Sequence, residues 1–302
     1  MLRSVAGRRS LARLQQRRRS GTSAEVAPDL LVSASLGWSA DATPPTSQQQ
    51  LVAALQAKEL LDEPVAADIF LALDRAAFVA RAHRARAYED RPLPLNSEGA
   101  VISAPSAHAR ALQLAAQFLQ ERQQRSAMAA APSAVRILDV GCGSGYQSAA
   151  LALLAHSAAA GSSTLGVDVS PQLVERARSS VRGAAVQMAS AAALSGRLGF
   201  GEWAEQLTSA AFLRFGAADA LTGDGSLGEI LNREENLKEN LKDTNRNHLR
   251  FDLRFDLIVC GAAALEPPPG DIMGRVFLFS VGEPGACDGC VTRGRFGKEH
   301  LR

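Results

Sequence analysis

The stretch Val135-Arg136-Ile137-Leu138-Asp139-Val140-Gly141-Cys142-Gly143-Ser144-Gly145-Tyr146 leaves little freedom in how the chain around it folds. A short apolar run ends on an acid and passes into a glycine-rich turn that opens a helix-compatible segment. Glycines at such a turn let the backbone bend tightly and come close to a ligand where any side chain would clash. Twenty-three residues past Gly145, at the end of the next apolar run, stands Asp168, where a carboxylate can accept both hydroxyls of a ribose. A purely structural glycine turn in some other doubly wound protein would show the same letters.

The rest of the chain fits the same architecture. Short apolar runs at Val135 to Val140, Leu165 to Val169, Phe212 to Phe215, Leu257 to Val259 and Val276 to Val281 are separated by helix-compatible segments such as Gln147 to Ala155 and Pro171 to Val181. Strands alternating with helices predict an α/β fold with a doubly wound, mostly parallel, Rossmann-like sheet. Ahead of it, Leu51, Val52 and Leu55, then Val65, Ile69, Phe70 and Leu73, recur at helical spacing and predict two amphipathic N-terminal helices. After Phe78 a stretch rich in Arg, Pro and Ser reads as a loop as far as Pro105, and a helical run follows from His108 to Gln120.

Dinucleotide enzymes usually carry GxGxxG, whereas the spacing here is GxGxG with Asp139 inside the strand end before it. That form resembles the S-adenosylmethionine-dependent methyltransferases, with Asp139 placed to influence the charged amino-acid end of the cofactor. A third strand end falls near Asp219, which with its neighbour Ala220 can reach an adenine amino group, since ligands bind outside the carboxyl ends of the strands. Asp224, in Gly223-Asp224-Gly225, competes for that role.

Composition narrows the alternatives. At 302 residues and 46% hydrophobic the chain can bury a full core, and a formal net charge of +2 is too small to imply a nucleic-acid partner. The most apolar stretch, Ala149 to Ala160, is interrupted by His156 and Ser157 and falls short of the roughly 20 residues of a membrane span. Four cysteines make no disulfide framework, and the lone pair Cys287 and Cys290 lacks the second half of a metal site, so no metal is expected. The first twenty residues carry Arg3, Arg8, Arg9, Arg13, Arg17, Arg18 and Arg19, and no acid precedes Glu25. Residues 1–36 therefore read as a mitochondrial presequence or as a disordered basic extension, or else as a misassigned start. A cytoplasmic location is expected, with mitochondria as the alternative. Residues 37–302 are expected to form the catalytic domain. Within it, 232–254 is a low-complexity insertion, because Glu235-Asn236-Leu237-Lys238 repeats as Glu239-Asn240-Leu241-Lys242.

Four separated motifs then resemble one family in its own order. Leu71-Ala72-Leu73-Asp74-Arg75-Ala76-Ala77-Phe78-Val79 is similar to a helix end read as MLxxDRxxFV. Tyr88-Glu89-Asp90-Arg91-Pro92-Leu93-Pro94, followed by Val101-Ile102-Ser103-Ala104-Pro105, is similar to a tyrosine-proximal loop and TISAP. The glycine turn and Gly261-Ala262-Ala263-Ala264 complete the set. Together they resemble the protein-L-isoaspartate (D-aspartate) O-methyltransferases, over roughly residues 37 to 282.

The resemblance implies S-adenosyl-L-methionine as cofactor and the free carboxylate of L-isoaspartyl or D-aspartyl residues in damaged proteins as the methyl acceptor. It implies an active-site serine at Ser103, a cleft lined by Ala100, Val101, Ile102 and Ser103, and His108 close to the cofactor. Gly141, Cys142, Gly143, Ser144 and Gly145 would form the cofactor loop, with Asp168 and Val169 at the ribose and Asp219 at the adenine. Read without the resemblance, Ser103 is equally an N-cap of the next helix and His108 a histidine at a helix start. Isoaspartyl proteins and peptides are the expected partners of a monomer that binds neither nucleic acid nor membrane. A methyltransferase of other substrates, or a non-catalytic cofactor-binding relative, remains the alternative. Ser106 stands where many relatives have a second histidine and Gly99 where they often have glutamine. Leu265 to Gly270 is shorter than the family's helix, and the family's final strands are not recognisable after Val281.

Overall fold

The computed structural model describes residues 44–126, 134–195, 200–218, 230, 254–260, 273–278 and 293–295. The chain divides into two units, Met1–Pro44 and Pro45–Arg302, and all the elements below belong to the second. Residues 1–36 and 231–253 lie outside the described residues, and Arg254, the last residue of the expected insertion, opens a strand.

Helices α1 (Gln48–Gln56) and α2 (Pro64–Ala72) form where the spacing predicts them. Ser47 caps α1 by accepting the Gln50 N–H at 3.3 Å, and Pro64 occupies the first turn of α2, where its missing N–H costs nothing. The stretch expected to be loop carries two 3-10 turns, η1 (Arg75–Ala77) and η2 (Arg81–Arg86), and a hairpin of β1 (Leu93–Pro94) and β2 (Val101–Ile102). Elements this short have no periodicity for a sequence to display; they exist because neighbouring segments hold them. Helix α3 follows as Pro105–Ser126.

From there strands and helices alternate: β3 (Arg136–Val140), α4 (Tyr146–Ala158), β4 (Ser163–Asp168), α5 (Pro171–Ser195), α6 (Phe200–Thr208), β5 (Leu213–Ala217), β6 (Arg254–Cys260), β7 (Met273–Leu278) and β8 (Arg293–Arg295). The sheet order is β5-β4-β3-β6-β7-β8, parallel throughout except for β8. The chain progresses outward from β3 on one side and from β6 on the other. The crevice between their carboxyl ends is thus the switch point at which a doubly wound sheet holds its ligand. Strand β8 follows Val281, where the sequence shows no recognisable strand. Arg-Gly-Arg shows no apolar alternation, and only its antiparallel pairing with β7 makes it a strand.

Helix α4 is enclosed on all sides, since every residue from Tyr146 to Ala155 is buried. One face meets β3 and β4 and the others meet α2, α3, α5 and α6. The glycine turn therefore runs into the most enclosed helix described, whose axis has no room to move.

Candidate active site

After β3 the backbone turns through Gly141, Gly143 and Gly145 at φ of +79°, +48° and +83°, the left-handed region that costs L-residues about 1–2 kcal/mol each. The N–H groups of Gly141 and Cys142 both donate to the Val167 carbonyl, at 2.8 and 2.9 Å. The Gly143 N–H donates to Oδ2 of Asp168 at 3.0 Å, and Oδ1 accepts the Ser170 N–H at 3.0 Å. The acid ending β4 is thereby clamped to the turn after β3. An ionised carboxylate offers about four acceptor positions, of which these bonds use two. Its charge at the mouth of the turn repels a phosphate and favours hydroxyl donors or a cation.

The turn residues differ in what they do. A Cβ on Gly145 would come within 3.0 to 3.2 Å of Cβ, Cα and the carbonyl of Ala177, so this glycine lets the start of α4 approach α5. Ser144 accepts the Tyr146 N–H at 3.3 Å, and Cys142 is buried, with burial and the nearby Asp139 and Asp168 charges pushing its thiol up. Asp139, expected near the cofactor's amino-acid end, is 1% exposed and accepts a hydrogen bond from Ser148 of α4. Burial raises its pKa to about 6, opposed by that bond and reinforced by Asp168. Its register partner Gly166 leaves the necessary gap. A Cβ there would stand 2.7 Å from Ser148 Oγ and 2.8 Å from the Phe215 ring.

The β1–β2 hairpin lies over the turn. A Cβ on Gly143 would meet Leu95 Cδ1 at 3.5 Å and the Val101 carbonyl at 3.9 Å. Asn96 shapes the hairpin by accepting the N–H groups of Glu98 and Ala100 at 3.1 and 2.9 Å, and Gly99 closes it at φ +91°. A glutamine at that position would be strained, which accounts for the departure noted in the sequence. Arg176 of α5 donates to the Leu95 carbonyl at 3.4 Å. Ala100 and Ser103 are half-buried, Ile102 is buried and Val101 is exposed. The structure thus brings residues 100–103, 141–145 and 168 together, with Val169 70% exposed beside them.

Ser103 is not the cap of α3. The Ala104 carbonyl accepts the N–H groups of Ala107 and His108, so Ala104 holds the cap position, and Asp90 replaces the missing cap side chain by accepting the Ser106 N–H at 2.8 Å. Burial raises the Asp90 pKa, against its bonds to Ser106. His108, on the first turn of α3, is buried with Nδ1 2.7 Å from Oε1 of Gln147 and its ring 4.9 Å from that of Tyr146. Burial lowers its pKa to about 4, opposed by the Gln147 bond, so the imidazole is neutral near neutral pH.

Three residues of this region carry no role in the sequence reading: Arg75, Asp90 and Gln147. Arg75 and Asp90 lie inside quoted motifs, and that was the available signal; Gln147 had none. Arg75 is fully buried, and its guanidinium donates to the carbonyls of Ala87, Arg91 and Ser103. Asp219 and Ala220 lie outside the described residues, as do Asp224, Gly261 to Ala264, Leu265 to Gly270, Cys287 and Cys290. Ala218, the residue before Asp219, donates its N–H to the Asp168 carbonyl at 3.0 Å. No group of three or more His, Cys, Asp or Glu suited to a metal occurs among the described residues.

The profile of the family "Protein-L-isoaspartate(D-aspartate) O-methyltransferase (PCMT)" matches residues 46–206, more than half of the chain. The chain belongs to this family. The match takes in the Asp74-Arg75 motif, the hairpin with Ser103, the glycine turn and Asp168, while Asp219 and Gly261 fall beyond it.

Among curated members, the protein-L-isoaspartate O-methyltransferase of Aeropyrum pernix is 41% identical over 104 residues, which is 34% of this chain and 33% of that protein. That of Anaeromyxobacter dehalogenans is 40% identical over 111 residues, 37% of this chain and 43% of that protein. The chain thus spans less than half the length of these relatives. A Plasmodium falciparum protein-L-isoaspartate O-methyltransferase solved with S-adenosyl-L-homocysteine aligns at a TM-score of 0.48 and 18% identity, over 78% of this chain and 86% of that one. The fold assignment rests on the strand order given above.

Proposed function

We propose that this chain is an S-adenosylmethionine-dependent methyltransferase that esterifies the free α-carboxylate of L-isoaspartyl or D-aspartyl residues in damaged proteins. Membership of the isoaspartate methyltransferase family supports the substrate class. The observation that carries the cofactor is the Gly143 N–H bound to the Asp168 carboxylate at the switch point. A bare-backbone turn with an anion beside it suits a nucleoside with a cationic substituent, and S-adenosylmethionine is such a molecule. Asp168 would take the ribose hydroxyls with its free acceptor positions, and Gly141 and Gly143 would let the ligand lie against the backbone. Val169, exposed beside Asp168, would cover one face of the base, and Asp219 is the proposed partner of the adenine amino group.

Bound there, S-adenosylmethionine supplies a methyl group on a positively charged sulfur. The accepting carboxylate is already ionised, because α-carboxyls titrate near pH 3.5, roughly. The chain therefore needs no strong general base, and the neutral, buried His108 is not asked to act as one. What remains is alignment, which holds reacting atoms at attack distance and excludes competing orientations. Ser103 and the neighbouring hairpin backbone would fix the carboxylate, while residues 141–145 fix the donor.

Residues 37–302 are proposed to form this one domain, with 1–36 and 232–253 as additions to it and Arg254 already part of β6. Among the described residues no helix is long and apolar enough to cross a membrane. The test compares methyl transfer to an isoaspartyl peptide and to its aspartyl twin, alongside calorimetry with S-adenosylhomocysteine. Transfer to the isoaspartyl form alone is expected. Equal transfer to both would point to another methyltransferase substrate, and tight cofactor binding without transfer would make the chain a non-catalytic member.

A further inference from the structure

Arg75 is the most enclosed charged side chain described. It is 0% exposed, and no carboxylate forms an ion pair with it among the described residues. Three hydrogen bonds from its guanidinium go instead to backbone carbonyls of three separate segments: Nη1 donates to Ala87 at the end of η2, and Nη2 to Arg91 at 3.2 Å and to Ser103 at 2.8 Å, while the buried Nε has no partner among the described residues. Its own N–H donates to Oε1 of Gln48 at 3.2 Å, and the Gln48 amide donates onward to the carbonyls of Phe70 and Leu73. The Arg75 side chain thus ties η2, the Arg91 loop and the end of β2 together, and its backbone N–H, through Gln48, joins them to the start of α1 and the end of α2.

Burying a guanidinium against neutral acceptors is an expensive way to satisfy three carbonyls. Asp90, an acid whose charge acts on the guanidinium, accepts its hydrogen bond from the Ser106 N–H instead. Burial lowers the Arg75 pKa to about 10, which still leaves it charged near neutral pH. What the arrangement achieves is placement. The residue it grips, Ser103, is two positions from Val101, whose carbonyl lies over Gly143 of the turn.

From this geometry we infer that Arg75 is the positioning residue of the site: its planar fork sets where Ser103 stands relative to the glycine turn, and so aligns the acceptor carboxylate with the methyl donor. The inference rests on the isoaspartyl reading above and names a residue within it. Arginine is required for shape as well as charge. A lysine ammonium is a point donor on a flexible stem and cannot hold three carbonyls in one plane.

The test uses the full-length chain and the variants Arg75→Lys, Arg75→Gln, Ser103→Ala and the double variant Arg75→Gln/Ser103→Ala. S-adenosylhomocysteine affinity by calorimetry reports whether each variant keeps a folded cofactor site, and isoaspartyl-peptide kinetics give kcat and KM separately. A misplacement near 1 Å costs on the order of 100-fold in rate, so kcat is expected to fall by about that factor in both Arg75 variants with the affinity for S-adenosylhomocysteine held within about threefold. The double variant is expected to lose little more than Arg75→Gln alone, because the two residues act through one geometry.

Three results would overturn the proposal. Wild-type turnover in Arg75→Lys would show that charge alone suffices. Additive losses in the double variant would show that Arg75 does not act through Ser103. Loss of S-adenosylhomocysteine binding in both single Arg75 variants would make Arg75 a residue of folding only. A wild-type chain that methylates no isoaspartyl peptide would instead refute the functional reading itself.

Discussion

The glycine turn and the Ser103 hairpin form two walls of the candidate site, yet they are built in opposite ways. The turn is local: β3, three left-handed glycines, the first turn of α4 and the adjacent end of β4 are held by backbone bonds to Val167 and by Asp168. The hairpin wall is assembled from a distance. Its strands are two residues long, and its position depends on Arg75 and Arg176, side chains that reach it from other segments, while Asn96 shapes it from within. The contrast teaches that the glycine-turn wall is specified by a run of residues and its sheet neighbour, whereas the hairpin wall is specified by a few long side chains.

The sharpest way to break the local wall is at its tightest glycine. Gly145→Ala would place a methyl within 3.2 Å of the Ala177 backbone and force a left-handed alanine. A loss of about 3 kcal/mol is expected from strain and overpacking, read by urea unfolding. A loss below about 1 kcal/mol would mean that α4 and α5 can separate freely.

Asp139 comes next, in the opposite direction. Its folded pKa near 6 exceeds the unfolded value near 3.8. Its protonated form therefore stabilises the fold below about pH 3.8, and that contribution is lost as pH rises through about 6. Asp139→Asn keeps an acceptor for Ser148 without a charge. It should be more stable than wild type above pH 6, by on the order of 2–3 kcal/mol, and equal to it below pH 4. A constant difference across that range would show that Asp139 does not titrate with folding.

Asp168→Ala tests the junction of the two strands. It should weaken S-adenosylhomocysteine binding by about 1.5–3 kcal/mol, because a charge-assisted acceptor disappears. Unchanged affinity would remove Asp168 from the site. The smallest effect belongs to the assembled wall: Asp90→Ala removes the acceptor at the Ser106 N–H and should cost about 1 kcal/mol of thermal stability. If Asp90→Ala instead lowered turnover as strongly as the Arg75 variants, the cap and the guanidinium would form one unit.

The five parallel strands were legible because each carries a short apolar run flanked by breakers, and their boundaries moved by only a few residues. The turn at Gly141 to Gly145 and the acid at Asp168 were legible for a related reason: glycine freedom and a strand-terminal carboxylate are properties of single positions. The capping alternative for Ser103 fails because a serine before a helix is a good cap only if its carbonyl begins the helix. Here Ala104 does so, and an acid fourteen positions earlier in the chain supplies the oxygen. Strand β8 and the β1–β2 hairpin were invisible for want of any period.

The amino-acid order by itself determined the α/β alternation, the family and the glycine turn with its strand-terminal acid, since backbone conformation and apolar period are set residue by residue. Only the tertiary structure decided that Arg75 would grip Ser103, that Asp139 would turn to Ser148, and that Gly145 would serve the approach of two helices. Those outcomes depend on which distant atoms arrive within hydrogen-bond or van der Waals reach, and no local rule in the chain encodes that distance.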